Sequence, residues 1–260
     1  MRALIRSAVA LLSDWRLVTL HLAANALLLS AATLWLLIPE AHVQQLLLTA
    51  LSAFAILFAF AWLHCGTLSH GLTPAHETLG RDFRASIRHI PVFLVFMAVL
   101  IVLMTWVSNL SDQSWQISGY FFTRLPHFLQ STIGESRFHQ WVQFKFAVLT
   151  WFLLPAIFLP FLSVASSSGL SRRGLWSALR TYARWKYWLA IAVAALIGVW
   201  LPYLLANWTP SHGLTKETVS MVMRLLTAYI LAVLAWLMAS TAVGSLLSQF
   251  ILLNKLEDGC

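Results

Sequence analysis

Of 260 residues, 60% are hydrophobic and only 10% charged, with a mean hydropathy of +0.77. A soluble fold carries about 25% charged residues and cannot bury such an apolar excess, so lipid is the expected solvent. The net charge of +8 does not point to nucleic acid: the basic residues flank apolar runs, where they act as orientation signals and contacts to anionic headgroups.

The chain opens with MRALIRSAVALLSDWR. Its apolar run is brief and ends without a small-residue cleavage site, unlike a secretory signal. Leu4, Ala8, Leu11, Leu12 and Trp15 share one helical face apart from Arg2 and Arg6, which predicts an in-plane interfacial helix over 1–16.

Crossing the hydrocarbon core takes about 20 apolar residues. Six segments qualify: 17–38, 46–66, 90–108, 143–165, 187–206 and 222–252. None alternates as a barrel strand would, and backbone polar groups in lipid must be satisfied within the segment. The expected fold is an all-α, polytopic membrane helical bundle forming a single integral membrane domain over 1–260, with short in-plane amphipathic helices. Loops on one side hold twelve Lys and Arg and those on the other five. The richer side is expected to be cytoplasmic, with both termini there.

Two cytoplasmic loops carry their own pattern. Between spans two and three, Phe83, Ile87 and Ile90 recur at helical spacing, opposed by Arg81, Arg84 and Arg88. Between spans four and five, Leu175, Leu179 and Tyr182 are opposed by Arg173, Arg180 and Arg184. Each predicts a basic amphipathic helix in the headgroup layer, its arginines on anionic lipid. SHGL (69–72) with RASIRHI (84–90) parallels SSGL (167–170) with WSALRTY (176–182). A parallel repeat of the two halves is one reading, and chance similarity in apolar sequence is the other. The external loop 109–142 is rich in aromatics, including Trp115, Tyr120, Phe121, Phe128 and Trp141, and reads as an interfacial belt with a surface helix.

Within the spans, Ala190, Ala194 and Gly198 form one small-residue stripe and Ser240, Gly244 and Ser248 another. Such stripes let helix backbones approach, within the chain or with another subunit. Pro155 and Pro160 are expected to kink span four.

Chemistry is sparse. His21, His64 and His89 fall toward the cytoplasmic ends of the first three spans and could hold haem or a metal. No HExxH or CxxC spacing accompanies them, so inter-helix hydrogen bonding is preferred, with no cofactor and no metal expected. His21 and Asn25, one turn apart, should face the bundle interior. The acidic residues lie at span ends and in loops, unlike the midplane carboxylate of many ion-coupled transporters. Ser166–Gly169 lacks a base in span six, and there is no P-loop. No catalytic residues are assigned. Cys65 and Cys260 are expected to be unpaired thiols.

The start MRALIRSAVALLSDWRLV, the loop segments RDFRASIRHI and GLWSALRTYARWKYW, and LLPAIFLPF of span four resemble a diffuse group of bacterial six-helix membrane proteins. That group includes the YciC-type proteins and the membrane domain fused to some glycerophosphoryl diester phosphodiesterases. The resemblance implies a protein of the bacterial inner membrane and transfers no catalytic residue. The expectation is therefore a non-enzymatic membrane protein that organises lipid or packs with a membrane partner or a second copy. The alternatives are a small-molecule or lipid transporter and a haem- or quinone-associated subunit.

Overall fold

A computed structural model describes residues 14–39, 42–72, 79–208 and 214–257. The interfacial helix expected over 1–16 lies outside the described residues as far as residue 13, as does Cys260. Among the described residues, six helices are long and apolar enough to cross a membrane: Trp15–Leu36, Val43–Leu72, Leu79–Asp112, Glu135–Ser168, Trp185–Asn207 and Lys216–Ser248. The protein is an all-α, polytopic integral membrane protein. Several helices outrun their apolar cores, because a helix can project into the headgroups with its backbone bonds intact.

In chain order the helices are α1 (Trp15–Leu36), α2 (Val43–Leu72), α3 (Leu79–Ser86), α4 (Ile90–Asp112), α5 (Ser114–Phe122) and α6 (His127–Ile133). Then follow α7 (Glu135–Val148), α8 (Leu154–Ser168), α9 (Arg172–Tyr182), α10 (Trp185–Ala195), α11 (Leu201–Asn207) and α12 (Leu214–Glu257). Asp14 caps α1, its carboxylate accepting from the backbone N–H groups of Arg16 and Leu17. Ser171 caps α9 by accepting from Gly174 N–H at 3.1 Å. Gly169 ends α8 at φ +63°, a left-handed turn that a side chain would strain.

Three short irregular turns interrupt this pattern. A 3₁₀ turn covers Ile87–His89, and π turns cover Leu149–Leu153 and Leu196–Trp200. Each ends two residues before a proline: Pro91, Pro155 and Pro202. A proline supplies no N–H to the carbonyl four residues back and its ring crowds that carbonyl. Those carbonyls belong to Ile87, Trp151 and Gly198, inside the irregular turns, where altered winding relieves the clash. Pro155 thus sits just beyond a π turn, whereas Pro160 is fully buried inside an unbroken α8.

The chain's internal contacts group into two compact units. The first comprises Met1–Leu94 and Leu159–Cys260, the second Val95–Phe158. Within the second, α5 folds back onto α7. Ser118 Oγ lies 3.1 Å from His139 Nδ1, and the Trp115 ring stacks on His139 at 3.9 Å. In the first unit, Leu17, Leu63, Phe83, Val233 and Leu237 form the core, with Leu22, Tyr229 and Trp236 packed against it.

The small-residue stripes meet partners within the chain. A Cβ on Gly244 would stand 2.1 Å from the Gly71 carbonyl oxygen, so α12 and α2 touch backbone to backbone. Ser240, also buried, lies on the same contact, its carbonyl 3.4 Å from where a Gly71 Cβ would stand. Gly198 faces α12 at Ala235, one turn beyond buried Ala194.

Short helices, α3 and α9, occupy the two loops where amphipathic helices were expected. α3 buries Asp82, Phe83 and Ser86 and turns Arg81 and Arg84 outward, while Ile87 stands 42% exposed. Phe83, Ser86, Ile90 and Phe93 are buried at alternating steps of three and four, an ordinary helical stripe that runs beside Ile87. α9 buries Ser177, Ala178 and Thr181, leaving Leu179 and Trp176 uncovered. In lipid, small residues favour close helix contact and large apolar ones can face outward, the reverse of the soluble pattern.

Candidate functional site

α1, α2 and α12 converge on a polar cluster inside the apolar bundle. His21 on α1 is fully buried, as a polar residue in a span must be unless it faces water. Its Nε2 lies 2.5 Å from Thr67 Oγ1 on α2. Asn25, one turn along, donates from its amide nitrogen to the His21 carbonyl at 2.9 Å and approaches His21 Nδ1 at 3.3 Å. These contacts fit one tautomer. Nδ1 accepts from Asn25, Nε2–H donates to Thr67, and the Thr67 hydroxyl donates onward to the Leu63 carbonyl at 2.7 Å. Both nitrogens of His21 are therefore engaged.

His64, one turn before Thr67, is different. Both of its ring nitrogens are buried and neither has a hydrogen-bond partner among the described residues. Its ring is walled in by aromatics: Phe60 at 4.3 Å, Trp236 of α12 edge-on at 5.0 Å and His21 at 5.8 Å between centroids. The Trp236 indole N–H is likewise buried and unpartnered. Each unsatisfied buried group costs on the order of 1–3 kcal/mol, so three polar atoms without partners in one place are not neutral packing. α12 is tied to this place by the Tyr229 hydroxyl, which donates to the Leu22 carbonyl of α1.

Beside the cluster lies an open groove of about 460 Å³ between α1 and α2. Leu28, Leu29 and Ala32 line it from α1, and Ala53, Ile56 and Leu57 from α2. At one end stand Asn25 and Phe60, the residues that touch His21 and His64. The Trp35 indole N–H, also in the wall, is already given to the Thr49 carbonyl at 2.9 Å. An apolar trench ending on Asn25, with the Phe60 ring between it and His64, suits a molecule with an apolar body and one small polar head.

The other candidate residues lie elsewhere. His89 sits in the 3₁₀ turn against Gly169, its Nδ1 3.5 Å from where a Cβ there would stand. His21 and His64 lie together, their ring centroids 5.8 Å apart, and both nitrogens of His21 already have partners. Among the described residues, no group of three or more His, Cys, Asp or Glu could hold a metal ion. Cys65 is buried, its thiol 3.7 Å from the Ser86 carbonyl. Arg81, Arg84, Arg88, Arg173 and Arg180 all stand outside the cluster, on and beside α3 and α9. In the serine run Ser166–Ser168 the three hydroxyls bond back to carbonyls of their own helix.

Sequence reasoning found His21, Asn25 and His64 but missed Thr67, Phe60 and Trp236. Thr67 had a usable signal, since it lies one turn from His64 and a buried His21 needs an acceptor. Trp236 had none, being far along the chain. A further, partly buried pair also went unseen: His70 Nδ1 lies 2.7 Å from Asp82 Oδ2, linking α2 to α3.

The chain matches no protein-family profile, no curated protein and no solved structure.

Proposed function

We propose that this is a non-enzymatic integral protein of the bacterial inner membrane, with both termini cytoplasmic, that binds and organises lipid. The α1–α2 groove takes the apolar body of a neutral amphiphile, and its hydroxyl or carbonyl head meets Asn25 at the groove's end and reaches His64 past the Phe60 ring. The observation that carries this reading is His64, with both ring nitrogens buried and unpartnered beside an apolar trench. A neutral imidazole offers one donor and one acceptor, which a hydroxyl satisfies at once and a carbonyl satisfies in part. A neutral head is favoured because no carboxylate, Lys or Arg takes part in the cluster. The charge bias of the loops supports the orientation. The likeness of the basic loop segments to YciC-type proteins supports the envelope location.

The test is lipid identification by mass spectrometry on protein purified in mild detergent. Wild type should retain a neutral lipid that His64→Phe and Asn25→Leu each lose by about fivefold, the loss of one net hydrogen bond. Identical lipid complements in all three proteins would overturn the reading. A lipid transporter is the second reading, favoured by the π turns Leu149–Leu153 and Leu196–Trp200, places where helix bonding can rearrange. It predicts transfer of labelled lipid between leaflets of proteoliposomes, and no acceleration over protein-free vesicles would dismiss it.

A further inference from the structure

The second unit holds another groove, with the opposite electrostatics. α5 and α7 flank an open trench of about 590 Å³ whose walls include Ile117, Phe121, Val142 and Leu149. Two cations share that lining, Arg124 and Lys145, and no carboxylate does. The Arg124 guanidinium lies 4.0 Å from the centre of the Tyr120 ring, and the Lys145 ammonium 4.6 Å from that of Trp141. Ring faces attract cations without cancelling their charge. Among the described residues neither forms an ion pair. The trench thus combines an apolar wall with two uncompensated positive charges, and Trp141, Tyr120 and Phe121 stand exposed around it as interfacial residues do.

We propose that this groove binds one anionic phospholipid, its phosphate drawn to Arg124 and Lys145 and an acyl chain laid along Ile117, Val142 and Leu149. Charge alone would suit an acidic peptide, but apolar walls beside a membrane span suit an acyl chain. Each basic group near an anionic headgroup adds a several-fold preference, while the long aliphatic stem of Lys145 keeps its ammonium at the interface. The site shares no residue with the His64 cluster and asks for a charged head instead of a neutral one. Either can therefore fail while the other stands.

The full chain is placed in phosphatidylcholine nanodiscs carrying a trace of photoactivatable phosphatidylglycerol, or the same trace of photoactivatable phosphatidylcholine, and labelled peptides are mapped. Phosphatidylglycerol should label 117–149 about tenfold more than phosphatidylcholine. R124Q/K145Q should abolish that preference and leave labelling beside Arg173 and Arg180 unchanged. Should the double variant fail to fold, R124Q and K145Q are read singly, each reducing the preference. Equal labelling by the two lipids, or a preference that survives these substitutions, overturns the proposal. So does absence of lipid label from the groove, which would leave an acidic protein segment as its occupant.

Discussion

Replacing Gly244 with Ala tests the α2–α12 contact on which the histidine cluster depends. The added methyl would stand 2.1 Å from the Gly71 oxygen and 2.5 Å from its carbonyl carbon. Both atoms are backbone, so no rotamer change can relieve the overlap. Ordinary contact needs about 3.5 Å, so the helices must part by roughly 1 Å. Overpacking of this kind costs about 2–3 kcal/mol. For a chain of this size that lowers Tm by about 5–10 °C, read from tryptophan fluorescence in detergent. Gly119→Ala is the control: nothing lies within 4 Å of its Cβ, and an alanine inside α5 should stabilise by about 0.5–1 kcal/mol. The two alanines are therefore expected to act with opposite sign. A Gly244→Ala protein melting at or above wild type would refute the backbone contact. Because His64 and Trp236 sit on the same two helices, the variant should also lose the neutral lipid of the α1–α2 groove.

Thr67→Val removes the acceptor of His21 Nε2 while keeping shape, and should destabilise by about 1–3 kcal/mol. Thr67→Ser should recover most of that in the same thermal assay, and a fully stable valine variant would mean that the His21–Thr67 bond carries no weight. Pro155→Ala and Pro202→Ala restore the N–H whose absence we hold responsible for the π turns. Amide hydrogen exchange across 149–153 and 196–200 should slow as those turns wind into ordinary helix. Exchange rates left as in wild type would break the link between each proline and its turn.

The six spans were legible because a run of about 20 apolar residues leaves no other use for itself in water or lipid. Helix ends were less so. The stretch from His64 to Leu72 continues α2, although polar residues dilute the apolar pattern there: Thr67 is buried and donates to the Leu63 carbonyl, and Ser69 is buried beside it. The outward face of α9 was misjudged for a related reason. Helical spacing says which residues align, and it does not say whether the aligned apolar side meets protein or lipid. Leu179 and Trp176 stand uncovered while Ser177 and Thr181 are buried, an arrangement that hydropathy alone would invert. The irregular turns had a local signal in Pro91, Pro155 and Pro202, but Pro160, in the same run as Pro155, passes without one. What separates the two is packing, since Pro160 is fully enclosed. The meeting of His64 with Trp236 joins spans two and six and is written in no local pattern.

The Tyr229 hydroxyl on the Leu22 carbonyl gives the bundle a history as well as a shape. A chain enters the membrane from its N-terminal end, so the α1–α2 hairpin, with His21, Thr67 and His64, is made long before α12. Until α12 arrives, the wall that Trp236 supplies is missing and the histidines face whatever occupies the bilayer beside them. On that order of synthesis the sixth span would complete the cluster last. A molecule already resting on the hairpin would be enclosed at synthesis instead of having to find its way in afterwards.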